Sequence, residues 1–265
     1  MTEQQNQYWQ LEKLSPFGLI VRSDVAEADM SVVDPSYLKG LIEKHRVVVM
    51  RDFAPLSGIN FPEFSRQFGE ILEWEFGAVN DLRVHENARN YLYTNHAVPF
   101  HWDGAFLNRA PHYIVFHCDV APQPGTGGET LFCDTTRVLS EALAEQQQVW
   151  DRIKITYTTE KVVHYGGTFS SPMIATHPIN GERILRYAEP VEDLNPVRLA
   201  IHGLPDEVQS DFIKEMNERL NDKCCCYAHQ WIDGDVVIAD NYTLLHGRRA
   251  FETSAVRHIR RVNVL

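Results

Sequence analysis

The chain has 265 residues, enough to bury a sizeable core, and its 44% hydrophobic and 23% charged content is that of a folded enzyme, not of a disordered segment. A formal net charge of −11 excludes the basic footprint of a nucleic-acid binder or of a membrane-surface patch, and leaves small molecules as the expected partners. No apolar run approaches the roughly eighteen residues of a spanning helix, and the opening "MTEQQNQYWQLEKL" lacks the order of a signal peptide, so a cytoplasmic protein is expected.

In chain order, "PSYLKGLIEKH" (35–45) spaces its apolar residues as a helix, with Asp34 as cap and Pro35 in the first turn. It runs into "RVVVMRDF", a β-branched run that reads as a buried strand. "FPEFSRQFGEI" reads as a second helix ending near Gly69. "HYIVFHCDVAP" and "GETLFCD" read as strands separated by the turn-rich "PQPGTGG". Residues 137–152 and 205–221 are helical by pattern and propensity. "YAHQWIDGDVVIADNYTLLHG" returns to strands with a hairpin turn at Asp233-Gly234, and "VRHIRRVNVL" is a last strand. No linker, repeat or low-complexity tract divides the chain, so residues 1–265 are expected to form one domain. Short strands on either side of a helix-bearing middle section predict an α+β, mainly β fold: an antiparallel sandwich or jelly roll with helices outside it.

The chemistry starts at "PFHWDGAF". On a strand His101 and Asp103 share a face and converge on one ion, with Trp102 turned the opposite way into packing. Alone the spacing is weak, since twelve histidines produce such pairs by chance. His246 in "ADNYTLLHGRRAF" adds a third donor, and two histidines with one carboxylate form the facial triad of non-haem Fe(II) oxygenases. Such a centre takes a chelating anionic cosubstrate, and "AVRHIRRVNV" offers its cations. Alternation sets Arg257, Ile259 and Arg261 on one face, with His258, Arg260 and Val262 on the other. Arg257 and Arg261 then hold two different anions, and Arg260 is expected to be a surface charge. His96, His117, His164, His177, His229 and His258 are read as structural or surface histidines, since three ligands complete this type of site. Gly127-Gly128 lacks the companions of a phosphate loop and reads as a turn. Cys118, Cys133 and the run Cys224, Cys225 and Cys226 lack zinc spacing and are expected to be reduced thiols.

The order H-x-D, then "GGET", then a histidine followed eleven and fifteen residues later by arginines resembles the TauD/TfdA superfamily of Fe(II)/2-oxoglutarate-dependent oxygenases. The resemblance runs from "HRVVVMRDF" to the C-terminus. It implies a double-stranded β-helix (jelly roll) with flanking helices and a helical or loop insertion, the substrate lid, over about residues 137–226. It implies His101, Asp103 and His246 as iron ligands, and Thr130 and Arg257 as the grip on the distal carboxylate of 2-oxoglutarate, with O2 as co-reactant. Arg261 falls where the substrate's anionic group is held, Trp74 at a substrate-contacting position, and Phe76 and Asn95 nearby. "WEFGAV", "VPFHWDGAF", "VFHCDVAP" and "RHIRRVNV" are further similar to the PvcB-type oxygenases. That narrower resemblance implies tyrosine isonitrile as substrate, a partner isonitrile synthase that makes it, and attack at the carbon beside the ring. The product is then a vinyl isonitrile or an unsaturated acid.

Other classes stay open at this point. A zinc hydrolase could use the same three ligands without needing the arginine pair. A non-catalytic jelly-roll binding protein would consume no O2. Within the oxygenases, hydroxylation of a free amino acid or similar small acid is the alternative. Homo-oligomerisation is left open.

Overall fold

The computed structural model describes residues 9–74, 77–107, 109–162 and 165–265. Among them the elements are, in chain order, β1 (Trp9–Lys13), β2 (Leu19–Ser23), α1 (Pro35–His45), β3 (Val47–Arg51), α2 (Asn60–Arg66), β4 (Asn80–Leu82), β5 (Val98–His101), β6 (Tyr113–Val120) and β7 (Thr130–Asp134). The middle section holds α3 (Thr135–Glu141), α4 (Ala144–Trp150), β8 (Lys154–Val162), β9 (Tyr165–Pro172), β10 (Ile174–Thr176), β11 (Arg183–Leu185), β12 (Arg198–His202) and α5 (Asp206–Leu220). The chain ends with β13 (Cys226–His229), β14 (Val236–Asp240), β15 (Leu244–Arg248) and β16 (His258–Val264).

Two sheets make the frame: a seven-stranded one in the order β1-β2-β3-β14-β6-β16-β4, and a four-stranded one in the order β13-β7-β15-β5. Between them lies a core of Val47, Val49, Ile114, Phe116, Phe132 and Leu244. Strand alternation turns Val48, Met50, Val115 and Val262 to the far face of the larger sheet, where α1 and α2 cover them. α1 starts where the sequence places it: the Asp34 carboxylate accepts from Ser36 N at 2.7 Å, and Pro35 fills the first turn without needing a donor. Leu38, Leu41 and Ile42 form its buried stripe. The far face of the smaller sheet carries Phe100, Leu131, Cys133 and Leu245, and these pack on Trp150, Ile155, Met216 and Leu220 of the middle section.

Several boundaries and pairings differ from the sequence expectation. The helix read over 137–152 is two short helices, broken at Ala142 and Leu143, both extended, with ψ of 138° and 149°. The second helix stops at Arg66, before Gly69. The insertion is not only helix and loop: β8, β9 and β12 form a three-stranded sheet, and β10 pairs with β11. Asp233-Gly234 is a turn with Gly234 at φ +85°, but no hairpin, because β13 pairs with β7 and β14 with β3 and β6. The turn carries the chain from one sheet to the other. A local turn signal looks the same in both cases, and only the cores on either side decide which sheet each strand joins. All five cysteines are free thiols. No helix among the described residues is long and apolar enough to cross a membrane.

Candidate metal centre and substrate cavity

β5 and β15 lie side by side with His101 opposite His246, and the two imidazole centroids are 4.2 Å apart. The pairing slips between His246 and Arg248, and Gly247 permits it: a Cβ there would lie 2.7 Å from the Val98 carbonyl oxygen. Gly247→Ala must push β5 off β15 and part the histidines. We expect about tenfold or greater loss of Co(II) affinity in equilibrium dialysis, the size of effect that disturbed support has on metal sites.

Asp103 is not on a strand, as the sequence reading had it, because β5 ends at His101 and Asp103 begins the turn beyond. What brings it into line is a pair of asparagines. Asn241 Oδ1 accepts from Asp103 N at 2.9 Å, and Asn241 Nδ2 donates to the carbonyl oxygens of Asp103 and Pro111 at 3.0 and 2.8 Å. Asn263 Nδ2 donates to Asp103 Oδ2 at 2.8 Å, while Arg261 Nη1 lies 3.0 Å from Oδ2 and 3.2 Å from Oδ1. Oδ1 is thereby turned towards His101 Nε2 at 3.7 Å and His246 Nε2 at 3.9 Å. An ion held about 2 Å from each donor bridges such separations with small side-chain shifts.

The protonation states suit a cation. Burial drives both imidazoles below their usual range, so they are neutral, the form that ligates. His101 Nδ1 is 2.9 Å from Pro99 O, which can only accept, so the ring proton sits on Nδ1 and Nε2 offers its lone pair. Burial alone would raise the Asp103 pKa; the Arg261 cation first, with the hydrogen bond from Asn263, works against it, and the carboxyl is held at about 2. Asn263→Leu keeps the volume and removes the donor that aims this carboxylate. The expected result is a 10–100-fold loss of Fe(II) or Co(II) affinity, roughly the cost of losing an outer-shell partner, in a metal-free protein that stays folded with only a modest fall in thermal midpoint.

Thr130 and Arg257 form a second polar cluster on the inner side of the smaller sheet, where Thr130 pairs with Arg248 on β15. Trp231 Nε1 and Arg257 Nη2 donate to Thr130 Oγ1 at 3.0 and 3.3 Å, which leaves the Thr130 hydroxyl proton free to donate. Arg257 Nε donates to Gly128 O at 3.0 Å, and its Nη1 is buried without a partner. Burial, then Arg248, lowers the Arg257 pKa to about 9, so the group remains a cation at neutral pH. A buried guanidinium with an unpartnered N–H beside a free hydroxyl donor has the chemistry to accept a carboxylate. The two glycines of "GGET" build this corner. Gly127, at φ +87°, passes so close to Ala250 that a Cβ would lie 2.2 Å from its carbonyl oxygen, and Gly128, at φ +84°, presents its carbonyl to Arg257.

The arginine phase needs correction. Arg257 precedes β16, whose ladder slips between His258 and Ile259, so Arg257 reaches the interior from the segment before the strand and not by alternation with Arg261. Arg260 is no surface charge. It is 8% exposed, grips Asp119 through Nε and Nη2 at 2.7 Å, and donates to Leu56 O, since the far face of β16 is covered.

A cavity of about 760 Å³ opens onto His101, Asp103 and Arg261, walled by Trp74, Tyr93, Trp102, Phe106 and Tyr157. Trp74 is therefore at the cavity, as its position implied, and Trp102 both packs edge-on against Tyr157 at 5.7 Å and faces the space. Asn95 is not a wall residue: its Nδ2 donates to Phe251 O at 3.0 Å and to Thr253 Oγ1 at 3.3 Å, which spends it on tying two loops. Phe76 and His164 lie outside the described residues. Asn241, Asn263, Arg248 and Trp231 were missed by the sequence reading. Asn263 was findable, since it shares the strand phase of Ile259 and Arg261; the other three announce nothing locally.

His112, His177 and Asp240 form a second group with converging donor atoms. It does not suit a cation. His177 Nδ1 accepts from Ile179 N and Asn180 N, each at 3.2 Å, so the ring proton sits on Nε2, 3.5 Å from Asp240 Oδ2. The Asp240 Oδ1 atom accepts from Tyr242 N at 2.9 Å and Thr243 N at 3.3 Å and shapes the turn leading to β15.

Comparison with known proteins follows the same lines. Residues 11–263 match the family described as taurine catabolism dioxygenase TauD, TfdA family. The 3-((Z)-2-isocyanoethenyl)-1H-indole synthase of Fischerella ambigua is 41% identical over 266 residues, covering 99% of this chain and 97% of its own. The tyrosine isonitrile desaturase of Pseudomonas aeruginosa is 34% identical over 254 residues, covering 94% of this chain and 87% of its own. Among solved structures, PvcB, described as an Fe, alpha-ketoglutarate dependent oxygenase from an isonitrile synthetic pathway, superposes with a TM-score of 0.83 at 31% identity over 100% of this chain and 93% of that one.

Proposed function

Since the chain belongs to the TauD, TfdA family of dioxygenases, we propose that it is an Fe(II)- and 2-oxoglutarate-dependent oxygenase that desaturates the isonitrile derivative of an aromatic amino acid, tyrosine isonitrile first among them. The observation that carries the reading is the convergence of His101 Nε2, Asp103 Oδ1 and His246 Nε2, two of whose residues, His101 and Asp103, line an aromatic-walled cavity. The two facing sheets support the double-stranded β-helix (jelly-roll) fold within one domain. The part played by the 137–226 segment in walling the cavity, through Tyr157, Ala188 and Val197, supports its reading as the substrate lid.

His101, Asp103 and His246 would hold iron, and Arg257 with Thr130 would hold the distal carboxylate of 2-oxoglutarate. Together with O2 these groups, when bound, supply the oxidising power for C–H abstraction, and the cosubstrate leaves as succinate and CO2. The chain's own task is placement. Arg261 holds the substrate carboxylate, the aromatic walls hold the ring, and the carbon beside the ring is thereby turned towards the three ligands. Trp102, Phe106 and Tyr157 exclude water from this space, which keeps the oxidant from being spent unproductively. An isonitrile synthase is the expected source of the substrate.

A second reading, the isonitrile of tryptophan, is favoured by the 41% identity to the indole-forming relative. Anaerobic reconstitution with Fe(II) and 2-oxoglutarate, followed by O2, separates the cases by succinate yield. Stimulation by tyrosine isonitrile is expected. Stimulation by tryptophan isonitrile alone moves the assignment to the indole, and stimulation by neither overturns the isonitrile reading.

A further inference from the structure

β4 is only three residues long and pairs along β16, with Leu82 opposite Ile259, Asp81 opposite Arg260, and Asn80 opposite Arg261. Leu82 and Ile259 both belong to the core between the two sheets, so strand alternation puts Asn80 on the same inner face as Arg261. Both residues line the cavity, yet Asn80 is only 7% exposed. Its Oδ1 accepts from the Tyr93 hydroxyl at 3.0 Å. The Nδ2 group has no side-chain or carbonyl acceptor among the described residues.

The amide is aimed by a chain of contacts. Arg248 donates to the carbonyl oxygens of Leu92, Thr94 and His96 on either side of Tyr93, and the Tyr93 ring stacks on His85 at 5.0 Å. With the Tyr93 hydroxyl fixed on Oδ1, the NH2 end of Asn80 is left for the cavity. That end stays open to the cavity instead of being sealed in the core, so an acceptor on a bound ligand can reach it. Arg261 is in a matching position: Nη1 is committed to Asp103, and Nε is buried without a partner. One arginine already shared with a metal ligand is a poor sole anchor for a second anion. A neutral donor opposite it strengthens the grip without adding a further cation beside the metal centre and Arg257.

We infer that Asn80 is a substrate-binding residue that, together with Arg261, clamps the carboxylate of the substrate. The inference rests on the reading of the cavity as the site of an isocyano acid, and it narrows the accepted substrates to those that carry a free carboxylate.

The test compares wild type, Asn80→Ala and Asn80→Asp with tyrosine isonitrile and with its methyl ester, in the iron- and 2-oxoglutarate-loaded enzyme. KM and kcat are measured together with anaerobic equilibrium binding of each ligand. Asn80→Ala should raise KM and Kd for the acid by roughly tenfold or more, the range for a hydrogen bond to a charged group, while leaving the ester nearly unaffected. Asn80→Asp, almost identical in shape, should be worse than alanine for the acid because two carboxylates then face each other, and it guards against a mere packing defect. Equal losses for acid and ester, no loss in Asn80→Ala, or an Asn80→Asp no worse than alanine each overturn the clamp. A wild-type enzyme that responds to no isonitrile overturns the functional reading instead, which is distinguishable because it appears before any substitution is made.

Discussion

His246→Ala is expected to abolish turnover and to lose more metal affinity than the roughly 10–100-fold that follows from losing an outer-shell partner. The reason lies in the donor set. His246 would provide one of three ligand atoms, and the remaining two, His101 Nε2 and Asp103 Oδ1, lie 3.7 Å apart on residues two positions apart in the chain. Two adjacent donors leave the cation open to water on its remaining faces, and they no longer fix which positions a cosubstrate and O2 occupy. Because the truncation leaves an imidazole-sized space at a site only 5% exposed, added imidazole should restore part of the metal binding. A merely structural histidine would not show that rescue. Equilibrium dialysis with Co(II) and succinate release with Fe(II) provide the two readouts. Undiminished turnover in His246→Ala would mean that the ligand set is wrong.

Arg248→Leu is expected to lower stability by about 3 kcal/mol or more, a large part of the 5–15 kcal/mol that a typical domain has. Arg248 is buried, its pKa lowered to about 10 by that burial, yet no carboxylate among the described residues balances it. Its guanidinium instead donates to four carbonyl oxygens of one loop: Tyr91 at 3.4 Å, Leu92 at 3.0 Å, and Thr94 and His96 at 2.7 Å. Leucine removes every donor at once and leaves those carbonyls to compete for whatever water can enter. Tyr91, Leu92 and Tyr93 wall the cavity, so the damage should extend to function as a raised KM for substrate. Arg248→Lys should fall between the two, since an ammonium lacks the planar fork that reaches several carbonyls together. Urea midpoints of the three proteins check the order; a leucine variant as stable as wild type would refute the account.

The parts of the fold and site that were legible in the sequence are those written in local chemistry. Asp34-Pro35 marks the start of α1 because a cap and a first-turn proline act on neighbouring backbone groups. The apolar run 47–50 marks a buried strand because every residue in it faces a covered side. His101, Asp103 and His246 were legible as candidate ligands because few residue types can hold a transition metal, and the structure brings their donor atoms together, although nothing local showed that Asp103 leaves the strand. Thr130 and Arg257 were found through their order in the chain, not through strand phase.

Other features depended on which distant segments meet. The Asp233-Gly234 turn looks like a hairpin until β13 and β14 are seen to join different sheets. Arg260 looks like a surface charge until α2 and the segment around Leu56 cover its face of β16 and Asp119 pairs with it. Asn241 and Asn263 gain their purpose only when β14 and β16 bring them to Asp103, 138 and 160 residues away in sequence.

By itself the sequence determined which groups this protein has for chemistry and where its local elements begin, because capping, alternation and ligand type are properties of a few adjacent residues. Tertiary structure alone decided the orientation of the Asp103 carboxylate, the burial of Arg260 and the place of Asn80 opposite Arg261. Each of these is set by the burial of polar groups against one face or the other of a sheet, where every donor must find an acceptor from another part of the chain or from a ligand.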